Sequence, residues 1–287
     1  MIAILLAASA AAAWAIGMTV AKPGVRAMDL VSYTMLRWAL VSILALAYVW
    51  GTGRWAVPSP SAVLLAMGAG VLDCTFGGFF YLKAMERTAA HRVIILSSSA
   101  PLWGVIGSVV FLEEPFLWTT LGAAALVVTG AVFLTERRQA SGPRPWVGAV
   151  FALFTGLLWG FAETVPTKLA LQQGMTAEML LLVFAASGGA GMLLLAPLLR
   201  RRIPRRVTPR GYLLVALSAV AGAFLGWLLW LNALGLAPAS VLSPIRGSTL
   251  LFALMYSVVF LRERPTRRVL IGVAFVAAGV FLVSWTY

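Results

Sequence analysis

Four ionisable side chains stand inside or beside long apolar runs: Arg37, Asp73, Glu163 and Arg246. Charge at such depth is costly in a membrane and is kept where it faces a bundle interior, a partner or water. Asp73 is the most central acid in its run and is a candidate carrier of a coupling proton. Glu163 lies near the end of its run, where it either shares that role or reaches water. Arg246 falls about a turn and a half into its run. It either recognises a substrate carboxylate or snorkels to the surface, and Arg37 reads as a snorkelling residue.

The second chemistry is apolar and aromatic. Of the eleven tryptophans, Trp50, Trp55, Trp118, Trp146 and Trp285 fall at run ends, where an interfacial belt explains them. Trp14, Trp103, Trp159, Trp227 and Trp230 are deeper, and a deep indole needs a partner for its N–H. Trp103, Trp159 and Tyr81 are the candidates for an amphipathic pocket suited to aromatic or large aliphatic side chains. Two polar, proline-broken stretches, Ser97-Ser98-Ser99-Ala100-Pro101 and Ser243-Pro244-Ile245-Arg246-Gly247-Ser248-Thr249, sit at corresponding places in two runs. Proline removes a donor and frees a carbonyl, which is tolerated within a membrane where the backbone is buried or lines water. Ser97, Ser99 and Ser243 therefore either meet a substrate's polar groups or bond back to their own helices.

The elements that must position these groups follow from composition. The 287 residues are 61% hydrophobic and only 11% charged, with mean hydropathy +0.95, whereas a soluble domain is about 25% charged. One bilayer crossing takes roughly 20 residues. The apolar runs divide into ten spans, near Met1–Val20, Tyr33–Trp50, Ala62–Leu82, Val93–Leu112, Phe116–Thr135, Trp146–Val165, Ala177–Leu199, Gly211–Ala233, Val241–Leu261 and Val269–Tyr287. No Lys or Arg precedes Lys22, so the apolar start reads as a first span rather than a signal peptide. The net charge of +13 would suggest nucleic acid on a soluble chain. Here eighteen of the 22 basic residues lie in the odd-numbered loops, including Arg137, Arg138, Arg144, the Arg200–Arg206 group, Arg262 and Arg264, while the even loops hold only Arg54 and Lys168. The positive-inside rule then makes the odd loops cytoplasmic and both termini external.

The chain repeats itself. Ser108-Val109-Val110-Phe111-Leu112-Glu113-Glu114-Pro115 returns as Ser257-Val258-Val259-Phe260-Leu261-Arg262-Glu263-Arg264-Pro265, 149 residues on. At the same offset Tyr81-Leu82-Lys83-Ala84 meets Trp230-Leu231-Asn232-Ala233, and Trp14 meets Trp159 at 145. Each copy holds five spans, 1–140 and 141–287. An odd number forces the second copy to enter the membrane from the opposite side. The expected architecture is an all-α polytopic membrane protein of ten transmembrane helices in two inverted five-helix repeats. Such repeats build secondary transporters with a site near the midplane.

These residues resemble the drug/metabolite transporter superfamily, specifically its EamA-type ten-helix members. The pattern is Trp14, Lys22, Arg37, Ala84, Pro101, Glu114, Gly122 and Gly130, then Trp159-Gly160, Lys168, Ala233-Leu234, Glu263, Gly272 and Gly279. It departs from the family where Ala15 follows the first Trp and where Phe184 stands near the place of Arg37. The resemblance implies export of small metabolites from a bacterial inner membrane, and the chain looks most like the YddG-type exporters of aromatic and neutral amino acids. The small lipophilic-cation exporters of the superfamily rely on an acid in helix one, which this chain lacks. Cys74 is the single cysteine and His91 the single histidine, and no zinc-pair or phosphate-loop motif occurs. The expectation is a transporter rather than an enzyme, without cofactor or metal, working as a monomer in lipid on a small-molecule substrate and not on nucleic acid.

Overall fold

The computed structural model describes residues 1–28, 30–88, 90–134, 145–199, 208–261 and 266–286, and every regular element among them is helical. Span one is α1 (Ile2–Ala27) and span two is α2 (Leu30–Thr52). Span three is a continuous rod of α3 (Pro60–Gly70), a π-helical stretch Val71–Gly77 and α4 (Gly78–Arg87). Span four is split into α5 (Ala90–Ser97) and α6 (Ala100–Phe111), and span five is α7 (Trp118–Leu134). The second half follows the same plan. Its elements are α8 (Pro145–Ala162) with α9 (Val165–Gln172) in span six, and α10 (Ala177–Leu199) in span seven. Span eight is α11 (Pro209–Leu217), a π-helical stretch Ser218–Phe224 and α12 (Leu225–Leu236). Span nine is α13 (Ala239–Arg246) with α14 (Thr249–Leu261), and span ten is α15 (Arg267–Thr286).

Seven of the described helical segments are long and apolar enough to cross a bilayer. Spans four, five and nine are shorter or divided: four and nine break near Pro101 and Pro244, whose rings deny the backbone a continuous ladder. Span six differs from its expected end at Val165. It turns at Glu163 and Thr164 and runs on to Gln172, because Pro166 occupies the first turn of α9, where a missing N–H costs nothing. Lys168 is thus a helical residue rather than a loop charge.

The backbone repeats in detail. Ser59 and Thr208 each cap a third helix of a half, accepting from Ala62 N and Gly211 N, and each is followed by proline. Both rods then contain a π stretch and end on an extended residue, Thr88 (φ −141°, ψ 168°) and Ala237 (φ −147°, ψ 161°). The halves interlock: span one packs on eight and nine, span six on three and four, two on seven, five on ten. The expected boundary between residues 140 and 141, the Arg137, Arg138, Arg144, Arg200, Arg201, Arg202, Arg205, Arg206, Arg262 and Arg264 charges, and Glu263 lie outside the described residues.

Loops of like parity meet. Arg54 pairs with Glu178, Ser61 Oγ donates to Gln173 Oε1 at 2.7 Å, and Glu114 reaches the start of α13, all on the even-loop face. At the other face Arg268 donates to the Val132 carbonyl. The tryptophans sort by depth as their positions in the runs predict. Trp50, Trp55, Trp118, Trp146 and Trp285 are 55–79% exposed, whereas Trp230 is fully buried and Trp227 nearly so.

Candidate functional site

Span six is the hub, and each turn of it serves a different neighbour. Gly156 and Gly160 present bare backbone to span four: a Cβ on Gly160 would stand 2.2 Å from the Ala100 carbonyl and 2.9 Å from Gly104 N. No larger residue permits that approach. One position before Gly160, Trp159 turns instead toward span three. It lies against Gly77, where a Cβ would be 2.6 Å from the indole nitrogen. The Trp159 Nε1–H donates to the Asp73 carbonyl at 3.2 Å, and the Tyr81 ring faces the indole at 5.4 Å between centroids. Trp159 and Tyr81 are therefore brought together, as one wall.

Asp73 sits within the π stretch, and its carbonyl accepts from the Gly78 N–H as well as from the indole. The residue is 6% exposed. Cys74 Sγ lies 3.6 Å from Oδ1, while Oδ2 has no hydrogen-bond partner among the described residues. Glu163, Arg246 and Arg37 are the charged groups that act on it through space.

Glu163 and Arg246 meet. Glu163 is at the turn between α8 and α9, buried rather than wet, and both of its carboxylate oxygens accept from the guanidinium of Arg246, the last residue of α13. The fork-on-fork geometry suits Arg and carboxylate. Trp14 of α1 lies beneath this cation, 5.7 Å from ring centroid to Cζ. Trp230 Nε1 donates to the Glu163 carbonyl at 2.9 Å, and Trp14 packs on Trp230 and Trp227 at 5.6 and 5.7 Å. A buried ion pair of this kind repays desolvation only when further donors and dipoles complete it. Here the Trp14 ring faces the cation, and the Trp230 indole fixes the backbone that carries the carboxylate.

The serines divide. Ser97 Oγ and Ser99 Oγ each donate back to their own helix, to the Ile94 and Leu96 carbonyls, and Trp103 Nε1 donates to Ser99 Oγ at 3.2 Å. These three form a local group on span four, beside Gly156 and Gly160. Ser243 instead crosses between the repeats, donating to the Pro101 carbonyl at 3.0 Å. The two proline-broken spans thus touch where the ladder of span four has been opened.

Two members of the cluster were not selected by sequence reasoning. Arg37 reads as a surface-seeking residue, yet its Nε is buried without a hydrogen-bond partner among the described residues, and its guanidinium lies over Trp38 at 5.1 Å. Trp14 reads as an interior indole and as the repeat mate of Trp159, but not as a pocket residue. The offset has a structural meaning, because Trp14 rests on Gly226 as Trp159 rests on Gly77: a Cβ there would be 2.6 Å from the ring.

The model of the EamA-like transporter family matches residues 1–136 and again 146–285. No curated protein matches the chain in sequence. A crystal structure described only as that of a protein has the same fold, with TM-score 0.83 and 15% identity over 99% of this chain and 96% of its own.

Proposed function

The chain belongs to the EamA-like transporter family, and we propose that it is a secondary exporter of small metabolites, with aromatic and neutral amino acids as its substrates, working by alternating access between its inverted repeats. One observation carries the reading. Spans one, three, six and nine, drawn from both halves, converge on the Glu163–Arg246 pair and on an Asp73 oxygen that lacks a donor, flanked by the Trp159–Tyr81 wall and by Trp14. An ammonium supplies the donor that Asp73 Oδ2 lacks. A carboxylate competes with Glu163 for the fork of Arg246. The aromatic wall suits an apolar side chain. Ser243 and the Pro101 carbonyl mark where the two halves part.

Asp73 is the coupling residue in this reading. A proton on Asp73 neutralises it and gives it a bond to offer the neighbouring Glu163 carboxylate, so substrate ammonium and proton exclude each other. The odd loops face the cytoplasm of a bacterial inner membrane, both termini lie outside, and one chain with two complete halves acts as a monomer.

The test uses the purified chain in proteoliposomes, with and without an imposed pH gradient, in wild type and Asp73→Asn. Uptake of phenylalanine or methionine that responds to the gradient in wild type and not in Asp73→Asn supports the reading. Transport of a lipophilic cation in place of amino acids would replace the substrate class, and activity indifferent to Asp73→Asn would remove the coupling role. A reporter fused to the C-terminus and found cytoplasmic would overturn the orientation.

A further inference from the structure

The short turn joining α12 to α13 is gripped from two sides by opposite charges. Lys168 Nζ, from α9, donates to the Leu234 carbonyl at 2.5 Å and to the Ala237 carbonyl at 2.9 Å. These are acceptors at the C-terminal end of α12, the negative end of its dipole. Glu114, from the loop after α6 in the other repeat, accepts from Ala239 N at 2.7 Å and Ser240 N at 2.8 Å through its two oxygens. These are orphan donors at the N-terminus of α13, the positive end of its dipole. The turn has a cation on its carbonyls and an anion on its amides.

The backbone leading into Glu114 is held out of its preferred range. Glu113 has φ 55°, the one left-handed residue other than glycine among those described. It stands where a helix that ends like α6 usually carries glycine, with Leu112 N and Glu114 N both bonded to the Ser108 carbonyl. A side chain in that conformation is strained and persists where its surroundings over-determine it. Seating Glu114 on α13 is what the strain accompanies.

The grip matters because of what α13 carries. It is eight residues long, about 12 Å at the helical rise. Its first amides are held by Glu114, its middle residue Ser243 bonds the Pro101 carbonyl, and its last residue is Arg246, paired with Glu163 in the site. The half-helix runs as a strut from the even-loop face to the centre, tied at both ends by carboxylates of other elements.

We propose that Glu114 and Lys168 are positioning residues that latch the even-loop face shut, and that unseating Glu114 lets α13 move and opens the central ion pair to that face. The latch rests on the transporter reading for its purpose. It is tested without any substrate, so a chain that carried no amino acid would still show it.

The experiment follows alkylation of Cys74, the single cysteine, buried beside Asp73, by a membrane-impermeant maleimide applied separately to each face of membrane vesicles holding the full-length chain. A second reporter is Thr164→Cys in a Cys74→Ser background, at the turn beside Glu163. Loss of two charge-assisted hydrogen bonds in Glu114→Gln raises the rate from the even-loop face roughly tenfold or more. Lys168→Gln does the same from the opposite grip, and tests the latch independently if Glu114→Gln fails to accumulate. Glu114→Asp, which keeps the charge, returns the rate most of the way to wild type. Glu113→Gly removes a neighbouring charge while leaving the latch seated, and its rate stays near that of wild type. Rates from the even-loop face that stay at wild type in both latch variants, or that rise equally from both faces, or that rise as much in Glu113→Gly, would overturn the proposal.

Discussion

Span three and span eight have one backbone and two chemistries. Each opens on a hydroxyl cap and a proline, passes through a π stretch, and leaves its last residue extended. Each offers a glycine to an indole of the other half, Gly77 to Trp159 and Gly226 to Trp14. Yet at the offset that aligns those glycines, Asp73 corresponds to Gly222, whose bare backbone touches Gly17. The same holds elsewhere in the cluster: Glu163 corresponds to Met18 and Arg246 to Ser97. Each charged member of the site has an uncharged partner in the other copy. The frame is symmetric, and the charged cluster is written in the departures from symmetry.

Erasing those departures should have the largest effect. Arg246→Met strands a buried Glu163 and costs about 3–5 kcal/mol. Glu163→Met with Arg246→Met, which leaves both positions as uncharged as their counterparts Met18 and Ser97, recovers most of that loss because neither charge remains alone. Thermal unfolding in detergent measures both; a double variant no more stable than the single would mean that the pair is held by packing rather than by charge. Transport should stay lost in either.

Gly77→Ala and Gly226→Ala probe the symmetric part. Each forces a Cβ against an indole, an overpacking worth about 1–3 kcal/mol, and similar stability losses are expected in the two. Their transport should separate: displacing Trp159 also breaks its bond to the Asp73 carbonyl, so Gly77→Ala is the more damaging. Equal transport defects would place both halves in substrate contact alike. Trp159→Phe keeps the wall and removes only that N–H, for about 1 kcal/mol, read as weakened apparent affinity with membrane abundance unchanged. The smallest effect is expected at Ser97→Ala, which loses a bond within its own helix and should stay within about 0.5 kcal/mol of wild type. A large transport loss there would show that the hydroxyl leaves Ile94 during the cycle.

Much of the frame was legible because it rests on local rules. Apolar runs gave ten spans, Pro101 and Pro244 marked the broken helices, and tryptophans at run ends lie exposed. The site was less so. Glu163 looked terminal because its run is bounded at Val165, and a proline that starts a new helical piece, as Pro166 does, cannot be told from one that ends a span by composition alone. Its partner Arg246 is 83 residues away, a pairing that spacing on one helix does not encode. The π stretches were invisible to a 3.6-residue period, so the orientation of Asp73 relative to Gly77 had no sequence signature. Arg37 was assigned to the surface on its position in the run, without knowledge that Asp73 from another span lies within its field.

The π stretches have a further mechanical meaning. Each packs its residues into a wider turn than an α-helix would use, so the rod holds a surplus residue at constant height. If the surplus migrates along the rod, every residue it passes is rotated about the axis by about 100° while the two ends stay where they are. Span three can therefore swivel Asp73 without lengthening, tilting or unthreading the helix, a crankshaft set into an otherwise rigid column.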